Sequence, residues 1–286
     1  MILDFDDFDI KDRLYAIEEK TEKLKIKIEN LSDEEKKAFI DISAQAYIFH
    51  DSALEGLVVS ADEISSVFSA DTEGQYIRSR VLQEIRNHRK KIYDIIEESI
   101  KFRYSNSMYR SQEIKYEDII KIHEELYEGA MRKCPGKLRT IAGVHMNYFH
   151  ELVKPKQIKE KLIELCDKAA DPEFRTQHPL NQAVLFHFNF MQIFPFVEGS
   201  GKVGRLYMNN FLLQGGYELA IIHSSERQLY YETLRDSVED LRLLVIDSIE
   251  SAIDSRINFL QENNLARSIQ KTILRKKQNA FFIYSY

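Results

Sequence analysis

The segment Phe194-Pro195-Phe196-Val197-Glu198-Gly199-Ser200-Gly201-Lys202-Val203-Gly204-Arg205 leaves this chain little freedom, because it cannot be helical throughout while both its flanks read as buried helix. Upstream, Ala183 to Ile193 is largely apolar; Pro195 ends that run by disfavouring the helical region for Phe194 and bringing no backbone N–H. Gly199 and Gly201 admit positive φ and close backbone approach, and Leu206 to Leu213 resumes a helical apolar pattern. The pattern predicts helix, glycine loop, helix. Such a loop turns several backbone N–H groups and the positive end of a helix toward one point, which suits a phosphate, although the same sequence also serves as a plain helix-helix turn. Lys202 and Arg205 add cationic charge there, and Glu198 is a carboxylate of the kind that holds magnesium.

The remainder of the chain predicts helices to pack around that pair. Ten glycines and five prolines in 286 residues are few, while Lys, Glu, Leu and Ile are abundant and Val/Ile/Thr-rich strands scarce, so the expected fold class is all-α. A hydrophobic content of 44% supports a substantial core. The net charge of -6 argues against nucleic acid as a partner. Cys134 and Cys166 are too few for a disulfide framework, show no metal-ligand spacing and read as small buried residues. The acidic start, Met1 to Ile10, lacks the apolar core of a secretory leader, and no run approaches the ~20 apolar residues that span a bilayer. A cytoplasmic protein with no membrane partner is the expectation; a bacterial effector delivered into another cell would look the same.

In chain order, residues 12–30 predict a charged, solvent-facing helix with an incomplete stripe of Leu14, Ile17, Leu24 and Ile28. Ser32 followed by Glu35 forms a capping box that starts a second helix, expected through Phe49, and Ser60 with Glu63 caps a third. Between them, Gly56 reads as a C-cap with Glu55 beside it. Further helices are expected over 76–104, 116–130 and 156–168, with His123 packed on its helix. The polar stretch Ser105 to Ser111 divides an N-terminal helical region, 1–110, from a core, 111–240, and a C-terminal helical tail, 241–286, which ends basic and then aromatic. Val144, Met146 and Tyr148 alternate within 139–155, predicting either a short hairpin or a structural loop.

The residue order of the central loop resembles the Fic (Fido-domain) family, whose motif runs H-P-F-x-[D/E]-G-N-G-R-x-x-R between two helices. Pro195, Phe196, Glu198, Gly199, Gly201 and Arg205 match; Phe194 replaces the histidine, Ser200 the asparagine and Lys202 the first arginine. His187 and Phe190 ahead of the motif, Pro135-Gly136-Lys137-Leu138-Arg139 with Gly143-Val144-His145, and Arg227, Tyr230, Tyr231 and Leu234 extend the resemblance to roughly residues 50–240. Asp51-Ser52-Ala53-Leu54-Glu55-Gly56 is similar to the family's inhibitory motif, [S/T]-x-x-x-E-[G/N], with Asp51 at the Ser/Thr position and Ser52 one residue late.

The resemblance implies a Fic-like helical bundle with a β-hairpin flap, here Val144, His145 and Met146, that receives an extended target segment. It implies a nucleotidyltransferase that moves AMP from ATP, with Mg held by Glu198, to a hydroxyl side chain of a protein target, and it is compatible with a homodimer. The nucleotide-binding set is Gly199, Ser200, Gly201, Lys202 and Arg205, and Glu55 is the inhibitory residue, its carboxylate competing with phosphates for Arg205. Phe194 stands where the family's general base stands and cannot accept a proton, a loss worth about 10²- to 10⁴-fold in rate. His187 lies one helical face but about 10 Å along the axis from that spot and reads as a core residue. His145 and His223 have no sequence-defined role in its place. Three functions remain: a weak or altered AMP transferase, a catalytically dead module (pseudoenzyme) that binds nucleotide or protein, and hydrolytic removal of AMP using Glu55.

Overall fold

The computed structural model describes residues 8–68, 79–105, 107–109, 111–130, 134–141 and 152–283. Among them there is no strand, and eleven α-helices carry the fold. The central pair is α8 (Pro179–Ile193) and α9 (Ser200–Gln214), hinged at the glycine loop. α9 is buried on every side except at Asn210, which is why its sequence lacks a clean apolar stripe. Gly204 lets the two helices approach closely, since a Cβ there would come within 2.9 Å of His187 Nδ1 and 3.0 Å of the Phe190 ring.

The other helices enclose this pair. α4 (Arg80–Arg103) packs across α9, α6 (Ile158–Ala170) and α11 (Val238–Ile283) pack on α8, and α5 (Tyr116–Leu126) bridges α4, α6 and α9. α10 (Arg227–Asp236) leads into α11, and the five-residue α7 (Pro172–Thr176) precedes α8. α2 (Asp33–Leu54) and α3 (Ala61–Phe68) lie against α4. Both begin as the sequence predicts: Ser32 and Glu35 exchange backbone N–H bonds, and so do Ser60 and Glu63.

Several boundaries differ from the sequence expectation. α2 continues past Phe49 to Leu54, because its C-terminus is fixed by the turn at Glu55-Gly56-Leu57 rather than by loss of apolar period. α5 ends at Leu126, not 130, and the helical tail expected from 241 begins three residues earlier, as α11 starts at Val238. The first helix, α1 (Phe8–Glu29), is not simply solvent-facing. Ile17 and Leu24 are fully buried against α11, and the charges that suggested exposure flank this seam: Arg13 pairs with Asp247 and Glu250, Lys20 with Asp254. Cys166 is buried, which pushes its thiol up to about 12, whereas Cys134 is exposed in a turn at positive φ. No helix among the described residues is long and apolar enough to cross a membrane. The hairpin expected at Val144, His145 and Met146 lies outside the described residues.

Candidate functional site

Phe194 closes α8 in the left-handed region (φ 47°), its N–H bonded to the Phe190 carbonyl at 2.9 Å. A non-glycine residue there costs about 1 kcal/mol, which surrounding contacts must offset. Arg139 supplies much of that restraint. Buried beneath the loop, it donates to the carbonyls of Phe194 (2.7 Å), Ile193 (3.1 Å), Ile141 (2.9 Å) and Val153, while its own N–H reaches Pro195 O at 2.9 Å. A cation thus caps the negative end of α8.

His123 holds the other side of the loop. Its Nε2 donates to the Glu198 carbonyl (3.0 Å), its Nδ1 accepts from Gly136 N–H (2.8 Å), and its ring stacks on Phe196 with centroids 3.8 Å apart. The two bonds together assign the neutral Nε2–H tautomer. Gly199 then turns the chain at φ 80°, where any Cβ would collide with the Tyr127 ring. Ser200 starts α9 with its hydroxyl engaged locally, accepting from Phe196 N–H at 2.9 Å and donating to Phe196 O at 3.0 Å. The side chain expected to meet a phosphate therefore shapes its own loop. Glu198 points its exposed side chain outward, and no cluster of three metal-ligating side chains exists among the described residues. A single carboxylate beside a phosphate site is nevertheless a sufficient protein contribution for Mg²⁺, which keeps several waters and takes its other ligands from phosphate.

The cationic side chains of α9 face inward and meet carboxylates. Lys202 Nζ lies 2.9 Å from Glu84 Oε1 of α4, both groups buried. Arg205, 1% exposed, donates from Nε to Asp51 Oδ1 at 2.5 Å, from Nη2 to Glu55 Oε1 at 2.7 Å and from Nη1 to the Tyr230 hydroxyl at 3.1 Å. Asp51, in the last turn of α2, and Glu55, its C-cap four residues on, reach one guanidinium because that spacing puts them on the same side. The end of α2 is a Schellman turn: Leu57 N–H bonds Ser52 O and Gly56 N–H bonds Ala53 O, with Gly56 at φ 80°. From α10, Arg227 and the Tyr231 hydroxyl both donate to Leu54 O at 2.9 Å. Glu55 is thereby presented on a fixed turn. It also lies against Gly201, where a Cβ would run into its carboxylate oxygen.

Burial and charge act together here. Burial opposes ionisation of Asp51, yet Arg205, with His88 and Lys202, holds its carboxyl below the usual range. Burial likewise works against the Arg205 cation, but Asp51, Tyr230 and Glu55 outweigh it. His88, whose Nε2 is 3.8 Å from Asp51 Oδ2, is lowered to about 4 by burial despite that carboxylate. His187 is lowered to about 3, first by burial and then by the Arg205 charge; neutral, its Nε2 accepts from Tyr230 OH at 2.9 Å. The result is a continuous chain from Arg205 through Tyr230 to His187. Because the unfolded chain protonates histidine near 6.5 while these two stay neutral, it binds more protons than the folded protein between about pH 6.5 and 4. Stability is expected to fall as pH drops through that window, and His88→Phe should flatten the dependence of Tm on pH between 6.5 and 4. An unchanged slope would remove His88 from the account.

The structure brings Glu55, Gly201, Lys202 and Arg205 together and leaves Glu198 at the loop's outer edge; His187 is a core residue. His223 sits outside the cluster, stacked on His50 with centroids 4.4 Å apart. Asp51, Glu84, Tyr230, His123 and Arg139 complete the site. Of these, Asp51 carried the plainest sequence signal, one helical turn before Glu55; Glu84, 118 residues from Lys202, carried none.

Residues 113–212 match the sequence model of the Fic/DOC family. Protein adenylyltransferase fic-1 of Caenorhabditis briggsae is 26% identical over 203 residues, 70% of this chain and 38% of the relative. Protein adenylyltransferase Fic of Drosophila melanogaster is 40% identical over 83 residues, 28% of this chain and 17% of the relative. The chain therefore spans well under half the length of these relatives. Among solved structures, a Fic domain containing signaling protein from Bacteroides thetaiotaomicron is 18% identical and superimposes with a TM-score of 0.65 over 86% of this chain and 97% of that one. Fic-1 (aa134–508) from C. elegans is 19% identical with a TM-score of 0.63, over 87% and 71% of the respective chains. At these identities the two structures speak to the fold alone.

Proposed function

Because residues 113–212 match the Fic/DOC family model, we propose that this chain is a protein AMP-transferase of the Fic type held in a closed state, with turnover further weakened at Phe194. Support comes from the adenylyltransferase relatives and from one observation above all, the double-carboxylate clamp of Asp51 and Glu55 on Arg205. In this reading ATP is the nucleotide, and a hydroxyl of a protein target attacks the α-phosphorus as pyrophosphate leaves. The backbone N–H groups at Gly199 and Gly201 and the N-terminal end of α9 would cradle phosphate, with Arg205 as the principal cation. Glu198 would hold Mg²⁺, which when bound supplies charge neutralisation on the phosphates. Phe194 offers no proton acceptor, and Lys202, already on Glu84, lacks the guanidinium's bidentate fork.

In this reading the clamp is what restrains the site. A phosphate that approaches Arg205 must displace Glu55 at the loop edge, and even then Asp51 stays on Nε. Glu55→Gly alone is accordingly expected to tighten ATP·Mg binding by less than tenfold, whereas Asp51→Ser with Glu55→Gly frees the guanidinium and should tighten it by tenfold or more beyond the single change. Titration calorimetry on the three proteins distinguishes the cases. If the single variant binds as tightly as the double, Asp51 is no part of the clamp. No heat from any of them at millimolar nucleotide favours the second reading, a non-catalytic module. That reading draws on Phe194, an apolar side chain packed against the core where the chemistry needs a base.

A further inference from the structure

Behind the clamp, on the opposite side of α9, lies a cavity of about 430 Å³ between α4, α5 and α9 that none of the foregoing uses. Its two helical walls repeat one pattern. α4 presents Lys91, Asp94 and Glu98, and α5 presents Asp118, Lys121 and Glu125, each set spaced to lie along one helix face. Glu113 closes the rim, so five carboxylates meet two lysines. One lysine is already bound: Lys91 Nζ bridges Asp94 (2.6 Å) and Glu125, a pairing that raises its pKa against the opposing effect of burial. Glu98 and Glu113 have no ion pair among the described residues, and Asp118 has one oxygen on Lys115 N–H at the start of α5. Between the charged ends the walls are aliphatic, from Ile95, Ile114, Ile122 and Leu206.

A second observation marks the interior. Tyr207 of α9 lines the cavity, is 3% exposed, and its hydroxyl has no hydrogen-bond partner. The ring packs on Phe186 at 5.2 Å, and burial, with the nearby carboxylates of Asp118 and Glu98, pushes its hydroxyl's pKa up. A buried phenol without a partner is unfavourable by about 1–3 kcal/mol, and this one sits beside carboxylates whose potential favours a cationic donor.

We propose that this cavity binds a linear aliphatic polyamine. One ammonium group would pair with Glu98, Glu113 and Asp118, the methylene stem would lie on the four aliphatic side chains, and a further amine N–H would donate to the Tyr207 hydroxyl. Glu98 lies seven residues from Lys91, roughly 10 Å along α4, so the ligand's cationic end is set apart from the ammonium already in place. A hydrated divalent metal fits the site poorly, since it would leave the aliphatic walls uncovered.

The test uses the intact chain and spermidine as probe. Calorimetric titration is expected to show saturable binding below millimolar concentration, accompanied by a rise in Tm. Glu98→Gln with Glu113→Gln, both at exposed positions, should weaken binding by tenfold or more. Tyr207→Phe keeps the packed ring and should weaken it several-fold. Either variant binding as the wild type does overturns the assignment. So does a response that never saturates up to 10 mM, or equal displacement by Mg²⁺, which would make the site a diffuse acidic surface only.

Discussion

Phe194→His, placed in the Asp51→Ser/Glu55→Gly background, is expected to raise transfer of labelled AMP by about 10²- to 10⁴-fold. The restored imidazole accepts the target hydroxyl's proton only as the transition state forms, so the gain should appear in kcat with KM nearly unchanged. The combination is required because the clamp and the missing base act on different steps. In the closed chain a new histidine would face a site whose arginine is already occupied by Asp51 and Glu55. Adding Ser200→Asn and Lys202→Arg should raise turnover less than the histidine does. The Ser200 hydroxyl holds the Phe196 backbone, and Lys202 is committed to Glu84, so both changes disturb local structure as they restore phosphate contacts. Strong labelling by the unmodified chain would refute the weakened site. Silence from every variant, with nucleotide binding intact, would establish the non-catalytic module.

The second large effect concerns stability. Arg205→Leu should destabilise the protein by about 3–5 kcal/mol, because it strands Asp51 in the interior without its cation. At about 2–4 °C per kcal/mol for chains of this general size, Tm should fall by roughly 6–20 °C. The sign of the pH dependence separates this cause from lost packing. In the wild type the Asp51 pKa is held down, so its contribution is present above the unfolded value and is lost as pH falls through the folded one. In the variant, burial without Arg205 raises that pKa above the unfolded value, and protonation relieves the stranded charge. The stability gap between the two proteins should narrow on acidification below neutrality. A gap that widens, or a loss under about 1 kcal/mol, would remove the buried pair from the explanation.

What the sequence made legible follows the range of the interactions involved. The α8–loop–α9 core could be read locally, since Pro195 and the glycines act on their own backbone. The starts of α2 and α3 were legible for the same reason, as each capping box closes within four residues. α1 was misread because exposure was inferred from charge, whereas Arg13 and Lys20 reach carboxylates on a helix more than 230 residues away. Glu84 had no signal, being one acid among many on a charged helix until the fold sets it against Lys202. His123 was correctly read as packed, but its two bonds to the motif loop depend on where α5 lies. Arg139 belongs with it, since four carbonyls converge on it only after the chain has turned back.

If the proposed closed state is right, the hold of α10 on the Leu54 carbonyl sets how far from a nucleotide a signal could act. Arg227 and Tyr231 fix the turn that presents Glu55, yet neither hydrogen bond involves the glycine loop between α8 and α9. Under the proposed function the chain would divide between two populations, α2 seated, as in the structure, and α2 lifted, of which only the second would receive an anion fully. If seating is favoured by about 3 kcal/mol, the lifted form is roughly 0.6 per cent of molecules, and apparent affinity is roughly 160-fold weaker than the intrinsic value. A partner that draws Arg227 or Tyr231 toward itself would shift that ratio without entering the pocket. By linkage, a bound nucleotide would in turn make the same surface of α10 easier for that partner to take.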